Sequence, residues 1–65
     1  MTGKIKRLVS DRVFGFIRAE NETEYFFHKD DVKNASWDSL REGQNVEFEE
    51  AESTKGPRAS DVFLI

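Results

Sequence analysis

The sequence has no cysteine, one histidine (His28) and one proline (Pro57). Without thiols there can be no disulfide, no thiolate metal site and no cysteine nucleophile. A lone histidine cannot build a histidine metal cluster, and no acidic run has the spacing of a calcium-binding loop, so neither metal nor cofactor is expected. Long hydrophobic runs are missing too. Nothing approaches the roughly 20 apolar residues that span a bilayer, and the stretch from Met1 to Val13 lacks the apolar centre of a secretory signal. A soluble chain in the cytoplasm is expected. No serine, aspartate or second histidine is spaced to make His28 a catalytic base, and the many acids have no evident pocket, so no enzymatic role is expected.

What remains is a short, charged, aromatic-rich chain of 65 residues. That length supports one hydrophobic core, hence a single domain over residues 1–65, and nothing demands more than a monomer. The net charge of −3 hides a segregation along the chain. The first eighteen residues carry Lys4, Lys6, Arg7, Arg12 and Arg18 against Asp11 alone, whereas Glu42, Glu47, Glu49, Glu50 and Glu52 follow one another with no intervening base. The glutamates read as a solvated strand face, and they would also repel nucleic acid from that side.

Short β-branched and aromatic segments separated by turn-forming residues predict five strands: Gly3 to Ser10, Val13 to Ala19, Glu24 to His28, Asn45 to Ala51 and Arg58 to Leu64. Ser53-Thr54-Lys55-Gly56-Pro57 is a strong turn signal between the last two. Little helix is expected, and the length is too small for an immunoglobulin-type sandwich, so the fold class is all-β, a small antiparallel barrel. The stretch from Lys29 to Gln44 is long for a hairpin. It has room for one helical turn at Asp30 to Lys33, with Val32 and Leu40 as its anchors to the core.

Strand alternation puts Phe14 and Phe16 on one face of the second strand, with Val13, Gly15 and Ile17 on the other. It likewise pairs Phe26 with His28 and sets Tyr25 and Phe27 opposite them. Tyr25, Phe27, Ile17, Ile5, Val46, Phe48 and Val62 already fill a small barrel, which leaves Phe14, Phe16 and Phe26 for the outside. Their neighbours in sequence include Arg12, Arg18, His28 and Lys29. Aromatics interleaved with bases suit a single-stranded nucleic acid, since every base has a face to stack and every nucleotide a phosphate to neutralise.

Arg12-Val13-Phe14-Gly15-Phe16-Ile17 and Tyr25-Phe26-Phe27-His28 resemble the two ribonucleoprotein motifs of bacterial cold-shock proteins, K-G-F/Y-G-F-I and V-F-V-H. Gly3-Lys4-Ile5-Lys6, Leu40-Arg41-Glu42-Gly43-Gln44 and Lys55-Gly56-Pro57 with Ala59 extend the likeness over essentially the whole chain. The resemblance implies a five-stranded OB-fold barrel that binds single-stranded RNA or DNA and acts as an RNA chaperone. It places Phe14, Phe16, Phe26 and His28 on stacking positions, Trp37 on a loop stacking position, and Lys6 and Arg12 on the basic border. Trp37 could instead plug the barrel. Gly15 falls on the glycine between the two phenylalanines, where a missing side chain lets the strand curve.

The chain departs from the family pattern at four places. Arg7 and Leu8 stand where a tryptophan and a phenylalanine are usual, and Lys29 stands where an aromatic follows the histidine. Val13 replaces a glycine, and valine resists positive φ. The face should therefore have fewer stacking platforms and more charge than is typical. If Lys6, Arg7, Arg12, Lys29 and Arg58 each met a phosphate, log K would fall against log salt with a slope of about −3.5. The alternative is an OB-type module that has lost this activity and turns the same patch to a protein partner; an oligosaccharide-binding OB fold is a more distant one.

Overall fold

Alternating burial along each segment shows why strands form. In the segment from Glu24 to His28, Tyr25 and Phe27 are sealed from water while Phe26 and His28 are half-buried on the other side. The computed structural model describes residues 1–54 and 56–65, with Glu52 considered for its backbone only. The strands are β1 (Thr2–Val9), β2 (Phe14–Ala19), β3 (Glu24–His28), β4 (Asn45–Ser53) and β5 (Gly56–Leu64). They close into a barrel in the order β1-β2-β3-β5-β4. The expected all-β, five-stranded barrel is thus found. Among the described residues no helix is long and apolar enough to cross a membrane.

The antiparallel expectation needs one correction. β1–β2, β2–β3, β1–β4 and β4–β5 are antiparallel, but β3 and β5 run parallel, with Phe26 opposite Arg58. Parity requires it, because strand directions cannot alternate all the way round a ring with an odd number of strands. The last hairpin is also tighter than expected. β4 continues to Ser53, which pairs with Gly56 and donates its hydroxyl to the Gly56 carbonyl at 2.8 Å. The turn expected there includes Lys55, which lies outside the described residues.

Two strands each carry an extra residue. Lys6 is extra on β1, where pairing with β2 steps from Ile5 to Arg7, and it lets β1 bend so that its first half pairs with β4 as well. On β5 the register steps between the Glu49–Ser60 and Glu47–Phe63 pairs, and Asp61 takes the left-handed conformation with φ 48°.

The interior holds Ile5, Ile17, Tyr25, Phe27, Val46, Phe48 and Val62, the set expected from alternation, with Ala19, Leu40 and Ala59. Tyr25 packs its ring on Phe48, 5.1 Å between centroids, while its hydroxyl donates to Glu50. That bond pushes the phenol pKa above its ordinary value. Leu40 anchors the long connection, and Val32 bridges to Val62. The connection carries two short 3-10 turns, Lys29–Asp31 and Trp37–Ser39. The first falls one residue before the expected helical turn; the second had no sequence signal.

Val13 adopts φ 51°, a conformation that crowds a β-branched side chain. Its carbonyl accepts the Lys29 N–H at 3.0 Å, which fixes this geometry at the junction of β2 with the long connection. Strain of this kind costs about 1–3 kcal/mol, against about 0.5–1 kcal/mol of added chain entropy for glycine and a small loss of apolar contact. Val13→Gly should therefore stabilise the fold by about 1 kcal/mol and raise the thermal midpoint by several degrees. A lower midpoint in calorimetry would refute this.

Candidate nucleic-acid interface

The cross-strand registers assemble the outer face. Arg7 of β1 lies opposite Phe16 of β2, Phe16 opposite Phe26 of β3, and Phe26 opposite Arg58 of β5. One row thus runs cation, aromatic, aromatic, cation across four strands. A second row begins with Val9 opposite Phe14 and continues to His28.

Phe14, Phe16 and Phe26 are all half-buried, and their rings pack against one another. Ring centroids are 5.9 Å apart for Phe14–Phe16, 5.3 Å for Phe14–Phe26 and 6.2 Å for Phe16–Phe26. None belongs to the sealed core. Phe14 and Phe16 meet edge to face, with 89° between their ring planes. Beneath them Gly15 has no room for a side chain: a Cβ there would lie 2.5 Å from the Arg7 carbonyl and 3.0 Å from the Phe27 ring. Close approach of β1 and the core therefore dictates this glycine, beyond any need for the strand to curve.

His28 caps the first 3-10 turn, its Nδ1 accepting the Asp30 N–H at 3.3 Å. Nε2 is then the ring's donor for a ligand. The cations fall into two groups. Arg7, Arg12 and Lys29 are exposed and form no ion pair among the described residues. Lys6 and Arg58 are engaged: Lys6 with Glu24, and Arg58 Nη2 with Asp31 Oδ2 at 3.1 Å. The hydrogen bond from Lys6, and secondarily its charge, holds the Glu24 carboxyl below the ordinary carboxylate range. A depressed carboxylate pKa keeps its pair intact at and above the ordinary value and loses it as pH falls further, so Lys6 is engaged at neutral pH.

Trp37 has its ring contact with the core. It is half-buried and packs against the core, 6.1 Å from the Phe27 ring, and none of its ring contacts among the described residues is to Phe14, Phe16 or Phe26. Sequence reasoning missed the two carboxylates that engage the cations. Asp31 stands far from Arg58 along the chain and Glu24 far from Lys6, and no local pattern announces either pair.

A closed five-stranded barrel whose outer surface gathers aromatic rings between cations defines a nucleic-acid-binding class of small β domain. Comparison with known proteins agrees: the chain matches the family described as the 'Cold-shock' DNA-binding domain over residues 1–65, and it belongs to that family. It is 40% identical to proteins named Cold shock protein CspA from Staphylococcus saprophyticus, Staphylococcus haemolyticus and Staphylococcus aureus, in each case over 97% of this chain and 96% of the relative.

Proposed function

We propose that this protein binds single-stranded RNA or DNA by stacking bases on Phe14, Phe16 and Phe26, with His28 beside them and phosphates met by Arg7, Arg12 and Lys29. The observation that carries this reading is the mutually packed phenylalanine patch, outside the core and bordered by unpaired cations. Duplexes are disfavoured, because their bases already stack on each other and cannot reach the rings. Binding of the open state would shift transcripts away from pairing, the action of an RNA chaperone in the cytoplasm. No catalytic step enters this reading, and a monomer suffices for it.

The engaged cations change the expected salt response. If Lys6 left Glu24 for a phosphate, the bare carboxylate would take up a cation and cancel the release at the phosphate; the same holds for Arg58 and Asp31. Counting only Arg7, Arg12 and Lys29, at about 0.7 per phosphate, the slope of log K against log salt should be about −2, shallower than the five cations together would give. Anisotropy titrations of a labelled pyrimidine-rich oligonucleotide at several salt concentrations measure it. Salt-independent affinity would remove the phosphate contacts from the account, and failure to bind any oligonucleotide would favour a protein partner for the patch.

A further inference from the structure

Arg58 is the cation of the face that is held over a ring. Its guanidinium carbon sits 5.9 Å from the centre of Phe26, and Nη2 donates to both Asp31 oxygens, at 3.1 and 3.4 Å. Asp31 is itself fixed: its side chain is only 13% exposed, and Oδ2 also accepts the His28 N–H at 2.9 Å, as part of the cap on the first 3-10 turn. The pair spans the seam between β3 and β5. Phe16 stands on the β2 side of Phe26 and Arg58 on its β5 side, so a base that approaches Phe26 from β5 meets the guanidinium first.

We propose that the Asp31–Arg58 pair is a latch on Phe26: it keeps that ring partly covered in the free protein and has to open before a base stacks there. The inference rests on the nucleic-acid reading above and adds an attenuator to it. Opening gives up a charge-assisted hydrogen bond to a largely buried carboxylate, together with the attraction between guanidinium and ring. Little is recovered at the backbone of the strand, because a released Arg58 that meets a phosphate leaves Asp31 behind as a bare carboxylate that repels the same phosphate. Asp31 is thus a positioning residue. It touches no base, acts only through Arg58, and lowers the affinity of the face that it borders.

The test uses the full chain and a labelled oligothymidine of about seven nucleotides at several salt concentrations. Asp31→Asn keeps an oxygen for the His28 N–H but removes the charge that holds Arg58. It should bind roughly tenfold more tightly than wild type at low salt, the equivalent of one charge-assisted hydrogen bond that no longer has to be broken. Arg58 is then free for a phosphate, and the slope of log K against log salt should steepen from about −2 to about −2.8. Asp31→Asn combined with Arg58→Met removes the pair as a whole, so the slope should return to about −2 with affinity no lower than wild type. Asp30→Asn takes a charge from the same turn, but Asp30 faces His28 rather than Arg58, and the gain should not exceed about threefold. On saturation of the wild-type protein the guanidinium N–H resonances of Arg58 should shift; unmoved resonances would mean that the pair never opens, whether or not a variant folds. If wild type binds and Asp31→Asn gains nothing, if Asp30→Asn gains as much, or if the double variant binds more weakly than wild type with a flatter slope, the latch is overturned while the nucleic-acid reading stands. If neither wild type nor any variant binds a strand, both fall.

Discussion

Replacing Phe14 and Phe26 together by alanine should lower affinity for single-stranded oligonucleotides by at least about thirtyfold while leaving the barrel folded. Stacking contributes about 1–3 kcal/mol per base by alanine substitution, and the double variant removes two platforms. The rings are 5.3 Å apart, so the single substitutions will not add: losing either one also frees its neighbour from a contact that orients it. Folding should survive because neither ring belongs to the sealed interior. Anisotropy titration alongside a circular-dichroism melt separates the two effects. A folded double variant that binds like wild type would remove the stacking surface from the account.

Gly15→Ala acts on the fold rather than on the ligand. The added carbon would come within 2.5 Å of the Arg7 carbonyl and 3.1 Å of Leu8, and backbone cannot step aside as a flexible side chain does. β1 and β2 would have to separate just where Arg7 faces Phe16. Overpacking costs typically 1–3 kcal/mol, and a backbone obstacle places this case near the top, at about 3 kcal/mol. A core of this size rarely supplies more than about 3–5 kcal/mol, so the variant should sit close to its unfolding transition. Urea denaturation should show a much lower midpoint with an unchanged slope. A wild-type midpoint would mean that the two strands part at no cost.

The architecture was legible wherever it follows from alternation. Tyr25 and Phe27 face inward and Phe26 and His28 outward because successive strand side chains point to opposite sides, and the surplus of phenylalanines over interior places identified the outer face. At Val13 the resemblance raised a question rather than an answer: valine stands where the family pattern has glycine and resists positive φ, yet its φ is positive. What stayed hidden depends on closure in three dimensions. The parallel β3–β5 seam follows from strand number rather than from any residue in either strand. The Asp31–Arg58 and Lys6–Glu24 pairs join residues from separate elements. Trp37 on Phe27 depends on where a long connection crosses the barrel, which no periodicity encodes.

The row from Arg7 to Arg58 draws on both extremities of the chain and exists only when the seam between β3 and β5 has zipped shut. A half-made barrel therefore lacks the complete row, and, if the row holds a single strand as proposed, denatured chains compete poorly for that ligand. Occupancy then acts as a fastener on a domain with little stability to spare: at a ligand concentration about a hundred times Kd, mass action adds about 2.7 kcal/mol to the folded state. If it binds single strands as proposed, this protein would owe much of its persistence to the polymer it holds.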